Sequence, residues 1–134
     1  MQVIPNTDDF DRNCGSYALN LKEWFSFYIC FNYPLRPAAY GMYLQAATRE
    51  LLSRFPRLKQ VDRDFVDHNP HKTIIAFRIG GWDWHFIVRR NHSWKGKRGF
   101  GEVCQYTKDE VLNEVWCSSP RLVYDSDIVF FAYR

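Results

Sequence analysis

The sequence has no stretch approaching the roughly 20 apolar residues that a membrane-spanning helix needs. Its opening, MQVIPNTDDFDRN, carries acids where a secretory leader would carry positive charge. Neither a membrane partner nor export is expected, and a cytoplasmic location follows. Internal repeats, low-complexity tracts and linker-like stretches are also missing, which argues against a solenoid or tethered modules. The four cysteines, Cys14, Cys30, Cys104 and Cys117, are scattered without a CxxC pair. That spacing suits neither a zinc site nor a disulfide framework, and free thiols are expected. An HxxH spacing at His68 and His71 is interrupted by Pro70 and reads as a turn, so no metal or other cofactor is expected. Strong charge is lacking too: 18 Lys and Arg against 15 Asp and Glu leave a net charge of +3, too little to demand an anionic partner.

What is abundant is core material. Hydrophobic residues make up 46% of the 134 and aromatics 18%, too rich in core formers for a disordered chain. One domain spanning 1–134 is expected, since a chain of this size buries roughly two-thirds of its unfolded surface. From Asn13 onward, Tyr17, Ala18, Leu21, Trp24, Phe25 and Tyr28 recur at helical spacing, with Asp11 or Asn13 as N-cap and Cys14 in the first turn. Pro37 opens a second helix whose stripe of Tyr40, Tyr43, Leu44, Ala47, Leu51 and Leu52 ends before Pro56. Residues 57–72 read as charged and irregular. Thr73–Ile79 and Trp84–Arg90 read as strands joined at Gly80-Gly81, and Asn91–Gly101 as a basic turn. A strand near Glu102–Tyr106, a short helix started by the Thr107/Glu110 capping box and a last strand over Asp127–Arg134 complete the chain. The predicted class is α+β, with N-terminal helices packed on a small antiparallel sheet.

Cys14 and His85 carry the sharpest chemical signal. A nucleophilic cysteine must be a thiolate, and unpaired N–H groups at a helix start favour that form and can also receive an oxyanion. His85, at a strand start beside the aromatic walls of Trp82 and Trp84, is the candidate acid/base partner. Taken singly, Cys14 reads as a small buried hydrophobe and His85 as a satisfied strand-end histidine. Asn13 can support an oxyanion hole or cap the helix. Asn91, Glu102 and Gln105 are able to orient an imidazole, with Glu102 preferred as lying on a neighbouring strand.

Asn13-Cys14-Gly15-Ser16-Tyr17-Ala18-Leu19-Asn20 resembles the NCxAYAL-type opening of small bacterial and phage papain-like proteins related to the NlpC/P60 group. Asp83-Trp84-His85-Phe86-Ile87-Val88-Arg89 and Trp94-Lys95-Gly96-Lys97-Arg98-Gly99 are similar to that group's DYHFYR strand and WSHKPG-like turn, with Gly96 where the turn has histidine. The resemblance implies a papain-like core, a Cys14–His85 dyad and a thiol hydrolase acting on an amide bond of a peptide or of peptidoglycan type. Trp84 then belongs to the substrate contacts. The competing expectation is an inactive scaffold that binds a host protein or nucleic acid. Arg89, Arg90, Lys95, Lys97 and Arg98, interleaved with Trp94, would grip phosphates and stack a base. In the hydrolase reading the same hairpin overhangs the Cys14/His85 cleft and helps select the substrate.

Overall fold

A computed structural model describes all 134 residues. It is an α+β structure with four α-helices and a seven-stranded antiparallel sheet. In chain order the elements are β1 (Gln2–Val3), α1 (Cys14–Leu19), α2 (Tyr40–Arg54, preceded by a 3-10 turn at Pro37–Ala39), β2 (Leu58–Val61) and α3 (Arg63–His68). There follow β3 (Ile74–Ile79), β4 (Trp84–Arg90), β5 (Ser93–Lys97), β6 (Val103–Tyr106), α4 (Lys108–Asn113), β7 (Trp116–Ser119), β8 (Leu122–Tyr124) and β9 (Val129–Tyr133). The sheet runs β1-β6-β5-β4-β3-β9-β2, and β7 and β8 form a separate hairpin. No helix is long and apolar enough to cross a membrane.

Strand alternation divides the core in two. Ile75, Phe77 and Ile79 of β3 and Phe86 and Val88 of β4 face a cluster with Cys14, Ala18, Leu44 and Leu51 from α1 and α2. Ile74, Ala76 and Ile87 face the other way, onto Val111 and Leu112 of α4, Trp116 of β7 and Tyr124 of β8. Strands β3, β4 and β9 are almost wholly buried because both faces of the sheet are covered there.

The first helix is much shorter than its apolar spacing predicts. It ends at Leu19 because Asn20 turns into the left-handed region at φ 57° and donates its N–H to Ser16 O, with Leu21 N bonding the same carbonyl at 2.8 Å. The aromatic residues beyond it lie in a loop in which Phe25 is buried while Trp24 and Tyr28 are exposed. Glu50 of α2 holds that loop by accepting the N–H groups of Tyr28 and Ile29. Two further expectations are corrected. Residues 57–72 contain β2 and α3, whose N-cap is Asp62, and Asn91–Gly101 contains β5, hydrogen-bonded to both β4 and β6. Polar side chains masked both: β5 is held by hydrogen bonds to neighbours on either side, and β2 is an edge strand paired with β9 alone.

Candidate active site

Cys14 is the first residue of α1, and Asn13 is its N-cap. The Asn13 side chain is tied down at both ends: Oδ1 accepts from Ser16 N at 3.0 Å, Ser16 Oγ at 2.8 Å and Phe25 N at 3.3 Å, while Nδ2 donates to Phe25 O at 2.7 Å. It caps and pins the helix. Gly15 is required beside it, since a Cβ there would come within 2.6 Å of the Phe25 ring. The thiol, 6% exposed, lies against β4 and receives the backbone N–H groups of Phe86, Gly15 and Cys14 itself.

The expected depressed thiol pKa is not what this environment produces. Burial pushes it up to about 12; the Phe86 N–H works against that rise and the charge of Asp83 adds to it. Desolvation outweighs the helix-start effect because the first turn is packed into the core and little of Cys14 is left to water. His85 is likewise driven to its neutral form, with burial lowering its pKa to about 4. Its ring stacks on Tyr124 at 5.0 Å and meets the edge of Trp116 at 6.2 Å. It makes no hydrogen bond to any other side chain or backbone group, Cys14 included.

Alternation puts the two residues on opposite faces of the sheet, yet they line one cavity of about 620 Å³. Strand β5 pairs with β4 at Val88, Arg89 and Arg90 and ends at Lys97, so the Trp84–His85 start of β4 lies beyond its pairing with β5. Cys14 reaches this end of β4 from one side at the Phe86 N–H, and His85, the adjacent residue, projects to the other. Trp24, Trp84 and the turn Arg98–Gly101 complete one side of the cavity, and Ser118, Leu122 and Tyr124 another.

A carboxylate that sequence reasoning passed over also lies here. Asp83 Oδ2 accepts the Tyr124 hydroxyl at 3.0 Å, and Tyr124 OH meets Ser118 Oγ at 2.9 Å. Burial raises the Asp83 pKa, against the Trp84 N–H and the Tyr124 hydroxyl, which favour the ionised form. The position two residues before His85 was the available signal, but its significance depends on Tyr124, 41 residues away. Glu102, the expected ring-orienting residue, makes no side-chain hydrogen bond and is not among the residues lining the cavity. It immediately precedes β6, and its carbonyl accepts the Arg98 N–H.

The basic hairpin is largely internal. Arg89 donates to the carbonyls of Val66, Asn69 and Lys72 and lies over Trp94. Arg90 donates to Tyr17 O and Ala18 O, the free carbonyls of α1. Lys97 donates to Asp9 O and Gly99 O. Trp94 and Lys97 are buried and Lys95 half-buried. These cations hold loops and helix ends, and Trp94 offers no open face for a base. Trp84 is half-buried, sharing edge-on contacts with Phe25, Phe27 and Phe86 while bordering the cavity.

Comparison with family models, with curated proteins and with solved structures returns no match.

Proposed function

We propose that this chain is a thiol hydrolase acting on an amide bond, with a papain-like arrangement of helix and sheet, Cys14 as nucleophile and His85 as general base. The observation that supports it is the convergence of the Cys14 thiol, the His85 imidazole and the Asp83 carboxyl on one cavity, with backbone N–H groups directed at the sulfur. A neutral thiol and a neutral imidazole on one cavity suit attack with concerted proton removal rather than a preformed ion pair. The sulfur bonds to the substrate carbonyl carbon as its proton passes to His85. The C–N bond then breaks and His85 returns the proton to the leaving amine. Water, deprotonated by His85, hydrolyses the thioester and restores the thiol. The Phe86, Gly15 and Cys14 N–H groups beside the sulfur are the donors available to an oxyanion.

The test is adduct formation with peptide aldehydes and peptidyl chloromethyl ketones, read by peptide mass spectrometry, on wild type and His85→Ala. Modification confined to Cys14 and lost without His85 supports the proposal. Modification of the exposed Cys30 and Cys117 alone, or of Cys14 regardless of His85, overturns it. A second reading, a non-catalytic binding cavity on the same scaffold, is favoured by the missing Cys14–His85 hydrogen bond. Saturable ligand binding with no covalent adduct would select it.

A further inference from the structure

Three large aromatic residues from three separate segments converge at the mouth of the cavity and stay in solvent. Trp24 is 42% exposed, Phe100 58% and Phe10 72%. Trp24 and Phe100 sit 4.7 Å apart at 37°, and Phe10 flanks Phe100 at 5.9 Å. A chain that buries Phe25, Phe77, Phe86 and Phe131 almost completely has left these three out, and an exposed apolar patch of this kind marks a contact site. Trp24 and Phe100 themselves line the cavity.

Beside them is Arg98, the sole Lys or Arg among the lining residues. It enters none of the ion pairs in the chain, and its guanidinium has no hydrogen-bond partner, whereas Arg89, Arg90 and Lys97 all spend their donors on backbone carbonyls. Deeper in, the His85 ring is 4% exposed and aimed into the same space without a partner. The volume of about 620 Å³ falls in the range of small-molecule sites. The polarity is graded: a free cation and flat apolar surfaces at the mouth, then the thiol, imidazole and carboxyl below.

We infer that this cavity takes an N-acylated or peptidyl amino acid with a free α-carboxylate and an aromatic or large apolar side chain, the carboxylate read by Arg98 and the side chain held by Trp24 and Phe100. The assignment rests on the hydrolase reading for the location of the amide carbonyl at Cys14. A guanidinium recognises a carboxylate through paired, charge-assisted N–H donors. A ring laid against the touching pair Trp24 and Phe100 gains offset or edge contacts that an aliphatic methyl cannot supply. Asp83 does not compete at the mouth, being held lower down by Tyr124 and the Trp84 N–H.

The experiment is an NMR titration of the full chain with N-acetyl-L-phenylalanine, N-acetyl-L-phenylalaninamide and N-acetyl-L-alanine. The first should shift the Cys14, His85 and Gly99–Gly101 resonances saturably, and the other two should bind about ten-fold more weakly. Arg98→Ala should abolish the preference for the carboxylate and Arg98→Lys should retain part of it, while Trp24→Ala should abolish the preference for the ring. All three changes are at solvent-accessible positions, and their folding is checked by the unchanged remainder of the spectrum. Equal binding of acid and amide, an Arg98→Ala chain that still prefers the acid, or no saturable shift overturns the inference. Selective binding without a Cys14 adduct removes the hydrolase reading and leaves the binding site standing. A His85-dependent adduct without selectivity does the reverse.

Discussion

Asn13 offers the most direct check on how the site is built, because one side chain caps α1 and pins the loop that carries Phe25. Truncation to alanine removes the cap bond to Ser16 N, a loss of about 1 kcal/mol at a typical helix start. It also strips Phe25 N and Phe25 O of buried partners. Leaving buried polar groups unmade costs about 1 to 3 kcal/mol, and water admitted from the adjoining cavity relieves part of it. Asn13→Ala should therefore destabilise by about 3 kcal/mol, a large share of the ~5 to 15 kcal/mol that holds a domain together. Asn13→Ser restores the cap acceptor but is too short to reach Phe25, so it should recover about 1 kcal/mol of that loss. Urea denaturation, with m-values checked for constancy, measures both. An Asn13→Ala chain within about 0.5 kcal/mol of wild type, the range of ordinary surface changes, would refute the reasoning. Serine as costly as alanine would show that the cap contributes nothing.

His85 sets a pH dependence. Its pKa falls from an ordinary 6.5 to about 4 in the folded chain, so the unfolded chain takes up a proton that the folded one refuses. Stability should fall as pH drops through that window, by about 3 kcal/mol in total at 1.36 kcal/mol per pH unit. The raised carboxyl of Asp83 opposes this at the acid end. Comparing wild type with His85→Gln by denaturation at several pH values isolates the histidine, and parallel curves would discard the assignment. At Gly80 an added Cβ would stand 1.7 Å from Val123 O, so Gly80→Ala should force β8 off the β3–β4 turn and cost about 3 kcal/mol. A normal melting temperature would contradict that contact. Arg89→Met should leave three carbonyls around the end of α3 without their donor and cost about 2 kcal/mol. It should also raise hydrogen exchange selectively in α3, and uniform exchange would count against it.

Much of the fold was legible because its signals are local. Strand β4 has the bounds that its composition predicts, and α4 starts at the Thr107/Glu110 capping box. The second helix and the last strand follow their apolar spacing, and Cys14 sits in the first turn that Asn13 caps. Each of these depends on residues a few positions apart, where caps, turns and periodicity act. The length of α1 did not follow, since an aromatic run at helical spacing serves equally well in a loop whose Phe25 fills a hole beside Gly15. The state of the thiol did not follow either, because a pKa depends on what covers the group, and the cover comes from β4 and distant loops.

The sequence by itself determined the local placements: a cysteine at a capped helix start and a histidine at a strand start. Only the tertiary structure decided which of them meet. At the start of β4, beyond its pairing with β5, residues from opposite faces of the sheet share one cavity. Tyr124 brings Asp83 into it. Lys97 spends its charge on the carbonyl of Asp9, 88 positions away, while Arg98, its neighbour, stays free. Solvation and hydrogen-bond satisfaction belong to the assembled surface, and that surface is built from segments that no local pattern connects.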